Sequence, residues 1–202
     1  MTLTYALELI GTFVFAISGA LAAEEHELDV FGITFIAFIT ALGGGTTRDV
    51  LLGIHPLVWI RDTNYLLTIF VAVAVAIVFK KYILPLRKTF FLFDTIGIGF
   101  FTILGLKKAL LVAQVSPLIG VIMGMVSATF GGVLRDVFCN QVPLIFRREI
   151  YATACLVGAG IYLFLEKISP YTRLNTLLTI FIIIVIRFIA VKYKLSLVWK
   201  KE

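Results

Sequence analysis

The chain has 202 residues, is 60% hydrophobic and only 15% charged, and carries a formal net charge of +6 from 18 basic and 12 acidic side chains. Together with a mean hydropathy of +1.05, this excludes an ordinary soluble domain and describes an integral membrane protein. The basic excess then belongs to loops that set orientation and meet anionic lipid headgroups, and not to a nucleic-acid surface. Cys139 and Cys155 have no CxxC or metal-ligand spacing, and the only histidines are His26 and His55. No zinc or haem site, no other metal and no cofactor is expected.

The length suits one membrane domain, 1–202, with about seven spans of roughly twenty residues each. Tyr5 to Ala23 is the first span, with Glu8 inside it and small residues at Gly11, Ser18, Gly19 and Ala20 that allow close helix packing in lipid. Nothing basic precedes it, so it reads as a retained span, although Ser18-Gly19-Ala20 resembles a signal-peptidase site. The acidic stretch Glu24 to Asp29 follows as a loop. Phe31 to Leu42 is too short to cross alone and does so only if Gly43-Gly44-Gly45 and Val50-Leu51-Leu52 continue it, as a broken or kinked helix.

Gly53 to Asn64 reads as a loop, and Leu66 to Phe79 as a third span closed by Lys80-Lys81. After Pro85, Arg87 and Lys88 a fourth span, Phe90 to Leu106, carries Asp94 and ends at Lys107-Lys108. Pro117 to Phe130 runs into Gly131-Gly132 as the fifth. Tyr151 to Leu165 and Leu174 to Val191, with Arg187 near its end, complete seven, before a basic tail that includes Lys192, Lys194, Lys200 and Lys201.

The restart is an internal repeat. Glu8-Leu9-Ile10-Gly11 matches Asp94-Thr95-Ile96-Gly97, and Phe15 to Gly19 matches Phe101 to Gly105. One residue of insertion later, Gly44-Gly45 matches Gly131-Gly132, and Arg48-Asp49-Val50 matches Arg135-Asp136-Val137. Pro56-Leu57 matches Pro143-Leu144, and Arg61-Asp62 matches Arg148-Glu149. The repeats are set at 5–81 and 90–166, with a seventh helix at 173–192. Three spans per unit make the two copies enter the membrane in opposite senses, the inverted-repeat arrangement that places a functional site at the repeat interface. Lysine and arginine counts favour an external N-terminus and a cytoplasmic C-terminus. That choice puts Lys80, Lys81, Arg87, Lys88, Arg147 and Arg148 inside, and the smaller set Arg61, Lys107, Lys108, Lys167 and Arg173 outside.

Two glycine motifs, each followed by arginine and aspartate, are expensive in lipid: glycine weakens a helix by about 1 kcal/mol and a buried charge costs a few more. They are expected to break the second and fifth helices and free carbonyls toward a wet path, since non-helical backbone at that depth needs protein or water around it. The bland alternative is that the glycines only permit a tight helix crossing. Arg48 and Asp49 point about 100° apart on a helix, so the expectation is a crossed clamp, Arg48 to Asp136 and Arg135 to Asp49, against snorkelling of both arginines to the headgroups. Glu8 and Asp94 form a second matched pair, read as a shared polar pathway or as interfacial helix anchors. The acids Glu24, Glu25, Glu27 and Asp29 read as a solvated turn or a cation-concentrating mouth, and Lys107-Lys108 as interfacial anchors or gating charges. No GxSxG, HExxH, Walker or GxGxxG element is present, so no enzyme is expected.

GGGTTRDVLLG and GGVLRDVFCNQVP, within a duplicated three-helix unit and seven spans, resemble the trimeric intracellular cation (TRIC) channel family. The likeness is greatest to its short prokaryotic members, whose repeat unit is also catalogued as a glycine-transporter domain. It covers roughly Tyr5 to Val191. The resemblance implies a homotrimer with a pore in each protomer, conducting potassium and also sodium, in a prokaryotic plasma (inner) membrane. It places Gly43, Gly44, Gly45, Arg48 and Asp49, with Gly131, Gly132, Arg135 and Asp136, along that pore on broken helices. The copies differ, since Thr46-Thr47 aligns with Val133-Leu134, so hydroxyls are expected on one side only. The alternative is a secondary carrier of a small amino acid such as glycine, with half-helix N-termini holding the substrate carboxylate. A regulatory subunit without transport of its own is a third class.

Overall fold

The computed structural model describes residues 3–79, 89–147 and 150–195. Lys80, Lys81, Arg87, Lys88, Arg148, Glu149, Lys200 and Lys201 lie outside these described residues. Among them the chain forms eight α-helices and one 3-10 turn. The helices are α1 (Leu3–Glu25), α2 (Val30–Leu51), the single turn α3 (Val58–Arg61), α4 (Asn64–Val78), α5 (Thr89–Leu111), α6 (Pro117–Phe138), α7 (Ala152–Ile168) and α8 (Thr172–Lys192). Leu144–Phe146 is the 3-10 turn. Four of the helices, α1, α2, α6 and α8, are long and apolar enough to cross a membrane. The 22 residues of α2 reach about 33 Å, close to the hydrocarbon thickness of a bilayer. The molecule is all-helical among the described residues, and it is an integral membrane protein.

Local chemistry sets the helix limits. Asp29 caps α2 by accepting from Gly32 N at 2.7 Å, and Pro117 opens α6 where its missing N–H costs nothing. α2 and α6 end alike. Gly53 and Asn140 both adopt positive φ, 67° and 53°. The following residues then turn back to the helix, with Ile54 N donating to Asp49 O at 2.8 Å and Gln141 N to Asp136 O at 2.7 Å. The acidic stretch is thereby divided, since Glu24 and Glu25 finish α1 while Asp29 starts α2.

The glycine motifs do not break their helices. α2 runs unbroken through Gly43-Gly44-Gly45 and α6 through Gly131-Gly132. The glycines instead let α2 and α6 touch backbone to backbone. A methyl at Gly44 would collide with the Ser127 carbonyl, and one at Gly131 with the Thr40 carbonyl. The tight helix crossing that the bland alternative asks for is present at Gly44 and Gly131. These contacts are reciprocal between sequence-matched positions, as are those of α1 with α5, where Phe15 and Phe101 stack at 5.2 Å. Gly97 and Gly11 there receive the Phe15 and Phe101 rings respectively.

α2 and α6 cross antiparallel, as do α1 and α5, by the order of their glycine contacts, and α1 also packs on α2 and α4 while α5 packs on α6 and α8. Small side chains at the seams bring the helices close enough for dispersion contacts to replace lipid packing. α5 continues to Leu111, one turn beyond the expected end, which puts Lys108 in its last turn.

Candidate functional site

Both arginine–aspartate pairs sit in the last turn of their helices, α2 and α6. Because those helices are antiparallel and cross near Gly44 and Gly131, the register places Arg48 and Asp136 about 20 Å apart along the helix axes. The crossed clamp is therefore excluded. Each arginine pairs with the aspartate next to it in sequence. Arg48 Nε and Nη2 lie 2.9 and 2.7 Å from Asp49 Oδ1, and Arg135 Nε and Nη2 both lie 2.8 Å from Asp136 Oδ1. The 100° offset is spanned because the guanidinium curls around the helix and offers one edge to a single carboxylate oxygen. Neither arginine snorkels, as Arg48 is 5% exposed and Arg135 wholly buried.

The remaining donors and acceptors differ between the two ends. Arg48 Nη1 donates to Ser127 Oγ at 3.0 Å, and Lys108 Nζ donates to Asp49 Oδ2 at 2.8 Å. At the other end Arg135 Nη1 donates to Ser18 Oγ at 3.0 Å and to Asp94 Oδ1 at 2.8 Å. There Asp136 Oδ2 accepts from the backbone N–H of Leu144, in the 3-10 turn, at 3.0 Å. Buried charges survive only when paired and hydrogen-bonded, and Asp49 and Asp136 each have two partners.

A small cavity of about 40 Å³ opens beside the first pair, with Glu8, Thr12, Gly45, Thr46, Arg48, Asp49, Trp59 and Tyr65 in its wall. That is room for only one or two waters. Tyr65 OH donates to Glu8 Oε2 at 2.6 Å, and Trp59 Nε1 donates to Thr46 Oγ1 at 3.1 Å. Thr47 faces its own helix and donates to Gly43 O at 2.8 Å. Beside the second pair lies a vestibule of about 390 Å³, lined by Ala22, Glu25, His26, Asp136, Cys139, Gln141, Leu144 and Arg147.

The repeat correspondence also marks a difference between the two ends. The offset that matches Glu8 to Asp94 matches Ala22 to Lys108, so a lysine pairs with Asp49 at one end where the other end has a methyl group beside Asp136. The vestibule contains no metal-ligand cluster, and none occurs among the described residues. In the loops, the hydrogen bond from Tyr5 OH, at 2.6 Å, holds the Asp62 carboxyl below its usual range, and burial pushes the Cys139 thiol up.

This duplicated unit is also what the chain shares with known proteins. The family model described as "Glycine transporter" matches twice, at residues 5–81 and 91–167. A UPF0126 membrane protein of Vibrio cholerae is 39% identical over 200 residues, covering 97% of this chain and 82% of the relative. The UPF0126 inner membrane protein YadS of Escherichia coli K12 is 35% identical, covering 96% and 95%. The structure of the TRIC trimeric intracellular cation channel orthologue from Rhodobacter sphaeroides superposes with a TM-score of 0.89 at 33% identity, over 96% of this chain and all of that one. A second structure, described in terms of conductance through TRIC cation channels, gives 0.85 at 33% identity, over 100% of this chain and 98% of that one.

The chain belongs to the TRIC channel family.

Within this TRIC family member, the structure gathers the expected residues into two clusters rather than one. Glu8, Gly45, Thr46, Arg48 and Asp49 share the small cavity; Asp94, Gly132, Arg135 and Asp136 share the interior behind the vestibule. Gly43 meets Leu134 Cδ1, which a methyl there would approach to 2.6 Å. Gly44 and Gly131 form the crossing between the clusters. Sequence reasoning missed Ser18, Ser127, Tyr65, Tyr151 and the pairing of Lys108. The only available signal was positional, since Lys108 falls at the repeat equivalent of Ala22, one helical stretch beyond Asp94.

Proposed function

We propose that the chain is a passive channel for monovalent cations, chiefly potassium and also sodium, with a pore inside each protomer of a homotrimer. The observation that carries this reading is the pair of polar cavities at opposite ends of the α2–α6 interface, each with the aspartate of one Arg–Asp pair in its wall. Similarity to structures described as TRIC cation channels supports it, and the word trimeric in one of those descriptions supports the assembly. All seven helices of fifteen or more residues then act as spans, as two inverted three-helix repeats and a seventh helix. The E. coli relative is named an inner membrane protein, which supports a prokaryotic inner membrane, with the N-terminus outside and the C-terminus in the cytoplasm by the basic-residue count.

In this reading Glu8 and Asp49 face the external mouth, and Asp136 and Glu25 the internal one. The Glu8 and Glu25 charges offset part of the cost of bringing a cation into a narrow low-dielectric path. The Thr46 hydroxyl contributes on the first side, where the second repeat has Val133. Arg48 and Arg135 brace their helix ends by neutralising the adjacent aspartates. Lys108 holds the external mouth shut while it is paired with Asp49. No residue is assigned a catalytic role, and lipids are the expected surroundings of the apolar faces.

The test is reconstitution into liposomes with potassium flux measured beside uptake of labelled glycine, with Arg48→Ala and Asp136→Ala as controls. Potassium flux down its gradient without glycine accumulation is the expected result. Gradient-driven glycine accumulation without ion current would establish the rival carrier.

A further inference from the structure

Glu8 and Asp94 occupy matched positions in α1 and α5, and each has a tyrosine from the start of the third long helix of its half beside it. In the first half the contact is direct, Tyr65 OH to Glu8 Oε2 at 2.6 Å. In the second half the acid is one methylene shorter. Asp94 Oδ1 is held by Arg135 Nη1 at 2.8 Å, but Asp94 Oδ2 and Tyr151 OH find no hydrogen-bond partner among the described residues. Both residues are deeply buried, at 0% and 2% exposure.

Gly132 lies alongside. A methyl on it would stand 2.9 Å from Tyr151 OH, 3.5 Å from Arg135 Nη2 and 3.6 Å from Asp94 Oδ1. Three polar groups thus converge on Gly132, a position of α6 that has no side chain. Buried polar atoms left bare cost about 1–3 kcal/mol each. What satisfies both orphans must accept a hydrogen bond from the Tyr151 hydroxyl and donate one to the Asp94 carboxylate. Water does both. A cation fits less well, because Asp94 and Asp136 are balanced by Arg135 and by Arg187, whose guanidinium carbon lies 4.9 Å from the Tyr151 ring centre. The Arg135 guanidinium also faces the same space.

We propose that one ordered water molecule bridges Tyr151 OH and Asp94 Oδ2 beside Gly132, in the place of the methylene by which Glu8 reaches Tyr65. The water ties α5 to α7 through the same carboxylate that holds Arg135. It makes the second Arg–Asp cluster a closed, fully hydrogen-bonded brace. The inference stands on the buried geometry and does not depend on the transport reading.

The test is a crystal structure of the full chain at a resolution that shows waters, with a second crystal soaked in thallium(I) as a potassium probe. The expected result is one water within about 2.7–3.2 Å of both atoms and no thallium peak there. In Asp94→Glu the longer acid is expected to displace the water and accept directly from Tyr151. Glu8→Asp tests the same rule in the first half, where a water is expected to enter beside Tyr65, and it serves if Asp94→Glu does not fold. Wild-type density without a water between the two groups, or a thallium peak at that place, would overturn the proposal.

Discussion

Lys108 Nζ lies 2.8 Å from Asp49 Oδ2, across the contact between the two halves of the chain. The lysine comes from the last turn of α5 and the aspartate from the last turn of α2. Removing the lysine frees one carboxylate oxygen and a positive charge's worth of space at the small cavity, while Arg48 still holds Asp49. Lys108→Ala is therefore expected to fold and to raise potassium flux in liposomes by about tenfold, which corresponds to about 1.4 kcal/mol. That is a modest fraction of the Coulomb repulsion between a lysine and a cation a few ångströms apart at intermediate dielectric. Unchanged or lowered flux would show that Lys108 does not close that mouth.

The repeat correspondence makes a reverse prediction at the other end. Ala22 lines the wide vestibule together with Asp136, in the place that Lys108 takes beside Asp49. Ala22→Lys is expected to pair with Asp136, to narrow the vestibule and to lower potassium flux several-fold without loss of thermal stability. Flux measured with Ala22→Met separates charge from bulk, since methionine brings similar length and no ammonium.

How much of this was legible beforehand varies by physical cause. The duplication was readable because Arg–Asp pairs and glycines recur at fixed offsets, and the loop that begins at Gly53 was readable from its residues, whereas the turn at Asn140 was not. Helix continuity through Gly43 to Gly45 was not, because a glycine cluster signals weakness until the partner backbone, here Ser127 and Gly131, is known. The clamp error had another origin. Sequence neighbours on a helix point apart at Cβ, but arginine is long enough to fold back, and the distance between α2 and α6 termini appears only with their register. Lys107 and Lys108 read as a span end because nothing in the order of residues says that Ala109, Leu110 and Leu111 continue the helix.

The tight crossing of α2 and α6 predicts an asymmetry among glycines. Gly131→Ala puts a methyl into the Thr40 carbonyl, a backbone atom that cannot swing aside, and is expected to cost about 1–3 kcal/mol or more. Gly160, in α7, has nothing within 4 Å of a methyl added there. Gly160→Ala is expected to be neutral or to stabilise by up to about 1 kcal/mol through helix propensity. Thermal unfolding in detergent checks both.

The two arginines are expected to differ in what their loss costs. Arg135→Ala leaves Asp94 and Asp136 facing each other in the interior, both wholly or nearly buried, and breaking such a pair costs about 3–5 kcal/mol. Arg48→Ala leaves Asp49 with Lys108 and is expected to cost less than half of that. The unfolding midpoints of the two variants, measured side by side, decide it; equal losses would show that Lys108 contributes nothing to Asp49.

The measurement that bears most directly on the channel reading is single-channel recording of the purified protein in planar bilayers with symmetrical potassium chloride. Discrete, cation-selective current steps far above the turnover of any carrier, and altered in Lys108→Ala, are what the account predicts. Silent bilayers containing folded protein that accumulates labelled glycine against its gradient in liposomes would contradict it.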